Sequence, residues 1–240
     1  SVSWEFMQHN FLNQQFHDTI YITANPHVYR LPSDIFFKIE DLFDKWNDKL
    51  GTVHPKDVAD RVIEINNKYP NKRLIIHYMQ PHTPWLGETA DDIRSRLDMK
   101  GINKNPWWKQ TKDKNKTTVS GMDWFDGVRK GHISEKEMRR GYTQTLDIVL
   151  SSANDLIQQL DGKSVITSDH GEMLGEKLFP LTRSLYGHYY FDLCTPELRK
   201  VPWLEIDYEK RREVISGSPI KFTEENEQMI NSRLEAFGYR

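Results

Sequence analysis

Apolar residues recur every three to four positions in several stretches of the chain, the spacing that places them on one face of an α-helix. The stretches predicted to be helices are residues 4–16, residues 55–69, residues 135–160 and a last amphipathic segment containing Met229, Ile230, Leu234 and Phe237. Local signals support three of these helices. Ser3 is suited to cap the first, Pro55 suits the first turn of the second, and Pro70 ends it. Ser134 and Glu137 have the spacing of a capping box, which favours a helix start at that point.

Short apolar runs of a different kind lie between the predicted helices. Residues 18–23, 73–78 and 164–167 are each predicted to be a strand, and the continuous apolar run of the second is typical of a strand buried on both faces. A further apolar stretch lies at 201–204. Helices that alternate with short strands predict an α/β fold with a mostly parallel central sheet and helices on both faces.

Length and composition limit the class of protein. The 240 residues fit one α/β domain, with no clear linker, and the net charge of −2 argues against a general nucleic-acid binder. A single cysteine excludes an intrachain disulfide. We find no apolar run long enough for a membrane span and no signal peptide, which favours a cytoplasmic protein.

Residues 100–121 are rich in lysine and asparagine and contain Pro106-Trp107-Trp108. This composition predicts a long loop, which either covers a site as a lid or is a solvated variable excursion.

Polar residues follow each predicted strand. In parallel sheets, ligands bind beyond the carboxyl ends of the strands, so we expect these residues to meet at one edge. The candidates are Asn25 and His27 after the first strand, His77, Gln80 and His82 after the second, and residues 168–172 after the third.

Asp169 and His170 are the central pair among these candidates. A carboxylate oxygen beside an imidazole nitrogen suits a divalent cation such as zinc, manganese, magnesium or calcium. Gly171 lets the backbone turn sharply and lets a ligand approach closely. On the dipeptide alone, the alternative is an aspartate that caps a helix with a histidine packed beside it.

The longer string Val-Ile-Thr-Ser-Asp-His-Gly-Glu-Met-Leu-Gly-Glu, residues 165–176, resembles the metal segment of the alkaline phosphatase superfamily, in particular its sulfatase-like branch. Three further segments are similar to that family in the same order: Pro-His-Thr-Pro at 81–84, Gly-His at 187–188, and Leu-Arg-Lys-Val-Pro at 198–202. The resemblance spans about residues 18–205 and implies that family's α/β fold.

The resemblance also implies roles for individual residues. Asp169 and His170 match metal ligands, and His82 matches a histidine that faces the sulfate or phosphate oxygens. His188 matches a later histidine that either completes a metal site or contacts the ester. His77 and His27 are possible additional site residues; His77 could equally be a core histidine, and the segment around His27 lacks the lysine of the sulfatase pattern. Glu172 and Glu176 are expected to support the loop.

Two parts of the family pattern have no match, namely an aspartate after the first strand and a nucleophilic Ser, Thr or modified Cys. Cys194 follows the metal segment instead of preceding it, and we interpret it as a structural or incidental thiol. We therefore expect the chain to be an N-terminally truncated part of a longer enzyme.

The function implied by the resemblance is a metal-dependent hydrolase of sulfate or phosphate esters, acting on a small anionic ester or a glycan-linked substrate. Two alternatives remain open. One is a phosphoalcohol transferase of the same superfamily that acts on a glycan or lipid. The other is a degenerate, non-catalytic domain that binds an anionic glycan.

Overall fold

The structure, a computed structural model, describes residues 2–99, 121–188 and 193–220. The helices are α1 (Ser3–Asn10), α2 (Pro55–Lys68), α3 (Glu88–Arg96), α4 (Trp124–Arg129), α5 (Glu135–Ile157) and α6 (Pro196–Arg199). The strands are β1 (Phe16–Thr23), β2 (Phe36–Asp41), β3 (Trp46–Asn47), β4 (Thr52–Val53), β5 (Arg73–His77), β6 (Ser164–Thr167), β7 (Met173–Leu174), β8 (Tyr186–Gly187) and β9 (Trp203–Ile206).

The central feature is a three-stranded parallel sheet in the order β2-β1-β5. Thr23 at the end of β1 lies opposite Asp41 on one side and His77 on the other. The carboxyl ends of all three strands therefore meet at one edge. This confirms an α/β fold with a parallel sheet and helices.

Both faces of the sheet are covered around β1. Ile20 and Ile22 point into an apolar cluster that includes Val58 and Val62 of α2, whereas Tyr21 points into the opposite cluster with Met7 of α1. All six side chains are almost fully buried. This alternation is what a strand between two helical layers requires, because successive side chains point to opposite faces.

The third predicted strand, β6, has a different place from the one expected. In the described part of the chain it does not join the parallel sheet, but pairs antiparallel with β9, with Val165 opposite Glu205 and Thr167 opposite Trp203. The Thr167 hydroxyl also donates a hydrogen bond to the Pro202 carbonyl, at 2.7 Å. The apolar stretch at 201–204 thus supplies the neighbour of β6.

The first helix is shorter than predicted. It ends at Asn10, and Asn13 takes a left-handed conformation (φ 66°) that helix geometry excludes. Phe16 belongs to β1, although it packs with Phe11 as the apolar stripe suggested. Ser3 is the first residue of the helix and does not act as its cap, because the N-cap position is occupied by Val2.

Later elements agree better with the sequence. Pro55 stands at the first turn of α2, and Ser134 with Glu137 forms the predicted capping box of α5. Residues 100–120 of the predicted excursion and the last amphipathic helix lie outside the described residues. Among the described helices, none is both long and apolar enough to cross a bilayer.

Candidate functional site

The segment after β6 reaches the carboxyl end of β5 although the two strands belong to different sheets. Nε2 of His77, the last residue of β5, lies 3.6 Å from Oδ2 of Asp169. The carboxyl end of β5 and the loop that follows β6 therefore converge, as expected, through the side chains of His77 and Asp169.

Histidines gather around this contact. The ring of His188 lies 4.2 Å from that of His170 and 5.1 Å from that of His82, measured between centroids. The pKa of His27 is lowered to about 4, mainly by burial and in addition by Arg30, His77 and His188. Five of the nine histidines thus belong to one cluster, namely His27, His77, His82, His170 and His188.

Asp169 has one satisfied and one unsatisfied oxygen. Its Oδ1 accepts a hydrogen bond from the backbone N–H of His170 at 3.0 Å. Its Oδ2 is buried and accepts no hydrogen bond from the described residues, although Nε2 of His170 is 3.7 Å away. Burial raises the pKa of this carboxyl, but His77, His170 and the Ser3 hydroxyl lower it further, so the pKa lies below its usual value. The site therefore holds a buried carboxylate oxygen to which no described residue donates a hydrogen bond.

Two of the histidines have a defined tautomer. Nδ1 of His170 lies 2.8 Å from the Gly171 carbonyl oxygen, and Nδ1 of His82 contacts the Thr83 carbonyl oxygen. A carbonyl only accepts, so each Nδ1 carries the proton and each Nε2 is left with a lone pair when the ring is neutral. Burial lowers the pKa of His82 to about 4, which keeps that ring neutral at pH 7.

His77 is held by the sheet itself. Tyr21 and His77 lie on adjacent strands, and the Tyr21 hydroxyl is 2.6 Å from Nδ1 of His77. Burial raises the pKa of Tyr21, so the phenol remains protonated. Burial also lowers the pKa of His77, although Asp169 opposes this change. Of the two interpretations, core histidine and site residue, the contact with Asp169 favours the second.

The Glu172 side chain is directed into the cluster and does not merely support the loop. Its Oε1 lies 2.9 Å from Nδ1 of His188, and both side chains are almost fully buried. Burial raises the pKa of Glu172 to about 7 and lowers that of His188 to about 3. Glu176 does have the expected supporting role, since its Oε2 accepts from the backbone N–H of Leu174.

Ser3 is the site residue that the sequence pattern did not reveal. Its Oγ lies 3.5 Å from Nε2 of His170. That nitrogen has no proton in the neutral ring and can only accept, and the Asp169 carboxyl, whose pKa the same hydroxyl lowers, is a second acceptor near Ser3. Nothing in the sequence marks Ser3 beyond its suitability as a cap, and only the packing of α1 beside the 168–172 loop brings it to the site.

Gly171 is required by a close backbone approach. An added Cβ would lie 1.8 Å from the Glu197 carbonyl oxygen, and the Gly171 N–H donates to the Leu198 carbonyl at 3.0 Å. The loop is therefore pressed against α6. Cys194, just before α6, is exposed, with Sγ 3.4 Å from Nη2 of Arg199.

A small cleft of about 190 Å³ opens beside Asp169, between α1 and α6. The ring of Phe6 lines it, together with Glu5 and Arg199, which form an ion pair at 3.2 Å. Asp169 itself lines this cleft, whereas its Oδ2 is buried.

A divalent cation in a protein is held by several oxygen or nitrogen donors. In the described ranges, no group of three or more His, Cys, Asp and Glu side chains is arranged to hold a metal ion. Two donors do fit: the open Oδ2 of Asp169, and Nε2 of His170, whose Nδ1–H is fixed by a backbone carbonyl as in metal-binding histidines.

Comparison with known proteins gave no relative. No protein-family model matches the chain, and no curated protein or solved structure is significantly similar to it.

Proposed function

We propose that this chain carries the site of a metal-dependent hydrolase of sulfate or phosphate esters. The observation that carries the proposal is Oδ2 of Asp169, a buried carboxylate oxygen that accepts no hydrogen bond from the described residues and has Nε2 of His77 and His170 within 3.7 Å. Leaving such an oxygen unsatisfied costs free energy, and a bound cation removes that cost.

Asp169 and His170 are the residues that would hold the cation. When bound, a divalent cation lowers the pKa of an adjacent hydroxyl or water and neutralises charge on the transferring group. The Tyr21 hydroxyl orients His77, whose Nε2 faces Oδ2 of Asp169 at 3.6 Å from the side of the sheet.

Ser3 supplies a candidate nucleophile within the chain, although its sequence context matches no known nucleophile pattern. Its hydroxyl is directed at His170 from the first turn of α1. The partial positive charge of a helix N-terminus stabilises a developing alkoxide and attracts an anionic ester. In this account, the Ser3 hydroxyl loses its proton to solvent and Oγ attacks sulfur or phosphorus, while the bond from that atom to the ester's alcohol oxygen breaks. The alcohol leaves with a proton from His82 or His188, and water later cleaves the serine ester to release sulfate or phosphate.

His82 and His188 would contact the ester oxygens. Burial lowers the pKa of His82 to about 4 and that of His188 to about 3, so both rings are neutral at pH 7. A sulfate or phosphate beside these rings raises their pKa, since an opposite charge favours the imidazolium form. The protonated rings then donate from Nε2 to the anion or to the leaving alcohol.

Hydrolysis of 4-nitrophenyl sulfate and 4-nitrophenyl phosphate, with zinc, manganese, magnesium or calcium added in turn, tests this proposal. We expect turnover of one ester, and Ser3→Ala to reduce kcat by about 10²- to 10⁴-fold. Ser95→Ala, which removes an exposed hydroxyl from α3, is the matched control and should leave kcat unchanged.

Full activity of the Ser3→Ala variant would exclude Ser3 as the nucleophile. If neither ester is turned over with any of the four cations, the hydrolase proposal is wrong. Metal-independent binding of an anionic glycan would then favour the non-catalytic binding domain.

A further inference from the structure

We propose that Glu172 is a positioning residue, which accepts a hydrogen bond from Nδ1–H of His188 and thereby holds that imidazole in the tautomer with Nε2 unprotonated. The inference is carried by the contact of 2.9 Å between Oε1 of Glu172 and Nδ1 of His188.

The burial of the pair makes this contact consequential. The His188 side chain is only 6% exposed and that of Glu172 only 7%. Water therefore cannot readily replace either group as a hydrogen-bond partner. A buried carboxylate without a hydrogen-bond donor is strongly disfavoured. Orientations of the His188 ring that turn Nδ1 away from Glu172 break this contact, and they are therefore disfavoured.

Among the described residues, the neighbouring histidines use their own Nδ1–H groups elsewhere, and Glu172 is the acceptor that faces Nδ1 of His188. The groups whose charges act on the pair include His82, His170, Asp169 and Asp123. His82 and His170 direct their own Nδ1–H groups to backbone carbonyls. The pKa of Tyr142 is raised to about 12, mainly by burial and in addition by the nearby Glu172 carboxylate.

The consequence is a shared orientation of three imidazoles. His82 and His170 donate Nδ1–H to backbone oxygens, and His188 donates Nδ1–H to a side chain. Each then presents Nε2 as the acceptor nitrogen. Of the three acceptors, only Glu172 is a side chain, so only the His188 tautomer can be changed by substitution.

Nitrogen NMR of the metal-free full chain measures the tautomer directly, since protonated and unprotonated imidazole nitrogens differ widely in ¹⁵N chemical shift. The measurement is made at about pH 8.5, where a carboxyl with a pKa of about 7 is ionised. In the wild type, His188 should give a protonated Nδ1 and an unprotonated Nε2. A protonated Nε2 in the wild type would overturn the proposal without any variant.

Two substitutions separate the hydrogen bond from the charge. Glu172→Gln keeps an acceptor oxygen and should keep the wild-type tautomer, whereas Glu172→Met removes the acceptor and should move the proton of His188 to Nε2. Glu176→Met, which removes the loop contact to Leu174, is the control on the same segment and should leave His188 unchanged. An unchanged tautomer in folded Glu172→Met would refute the positioning role.

The kinetic consequence rests on the proposed hydrolase. With the ester that the wild type turns over, Glu172→Met should lower kcat at least about tenfold with a smaller change in KM, and Glu172→Gln should recover most of that loss. If the wild type turns over neither ester, the hydrolase proposal fails, while the NMR result still decides the role of Glu172. A normal kcat in Glu172→Met would contradict the importance of the tautomer for the reaction.

Discussion

The hydroxyl of Ser3 lies 3.5 Å from Nε2 of His170, although the two residues are 167 positions apart in the chain. The contact joins the start of α1 to the loop after β6. It brings a hydroxyl, a helix N-terminus, an imidazole and a buried carboxylate to one point. The proposed chemistry requires this combination.

The loop that carries Asp169 and His170 depends on Gly171. In Gly171→Ala, the new Cβ would meet the Glu197 carbonyl oxygen, a backbone atom that cannot rotate away. We expect a loss of about 2–4 kcal/mol in the free energy of unfolding, because either the loop or α6 must move. Urea denaturation measures this loss.

Gly131→Ala is the matched control for this substitution. Gly131 has a positive φ of 76° but open space around its Cβ position, so the cost should be about 1–2 kcal/mol, from backbone strain alone. The account of Gly171 would be contradicted if Gly131→Ala proved the more destabilising of the two.

The parts of the fold that could be predicted are those with local causes. Pro55 and the Ser134–Glu137 capping box set the starts of α2 and α5 through local contacts. The apolar runs of β1 and β5 identify them as strands, and parallel pairing then brings His77 to the sheet edge.

The parts that could not be predicted depend on long-range packing. Strand β2 was missed because Lys38, Glu40 and Asp41 break its apolar pattern. The antiparallel partner of β6 is chosen by the tertiary structure, since a four-residue strand has no preference for direction in its own sequence. Ser3 and Glu172 reach the site through contacts with residues far away in the chain, so spacing alone gave them no catalytic signal.

Acid should destabilise the metal-free protein. The pKa of His27 and of His82 is lowered from 6.5 to about 4 and that of His188 to about 3, mainly by burial in each case. Between pH 6.5 and 4 the unfolded chain therefore binds more protons at these groups, and stability falls as the pH falls. Glu172 acts in the opposite direction, because its pKa is raised from 4.5 to about 7, but three groups outweigh one.

Urea denaturation in the presence of a chelator, at a series of pH values across this window, tests the effect. His82→Gln removes one of the contributing groups and should flatten the slope by up to about 1.4 kcal/mol per pH unit. His132→Gln changes an exposed histidine outside the cluster and should follow the wild type. Wild-type stability that stays constant or rises on acidification would show that the buried histidines are not neutral.

The Tyr21 hydroxyl should contribute to stability through His77. Tyr21→Phe keeps the stacking on Phe36, at 5.2 Å between ring centroids, but removes the hydrogen bond to Nδ1. We expect a loss of about 1–3 kcal/mol, since a buried imidazole nitrogen is left without its partner. Thermal or urea denaturation measures it.

Tyr69→Phe serves as the comparison, because Tyr69 packs against Phe37 through its ring and should change stability by less than about 0.5 kcal/mol. In a His77→Leu background, the further cost of Tyr21→Phe should nearly vanish. An equal cost with and without His77 would mean that the hydrogen bond does not stabilise the fold.

The central claim is that Asp169 and His170 hold a divalent cation, and its most direct test is calorimetric titration of the metal-free protein with zinc, manganese, magnesium and calcium. The account predicts that the wild type binds at least one of them and that Asp169→Asn, which keeps the shape but removes the charge, weakens binding by about 100-fold. Asp207→Asn, at an exposed aspartate, should bind as the wild type does. Failure of the wild type to bind any of the four cations, or equal affinity in Asp169→Asn, would contradict the account.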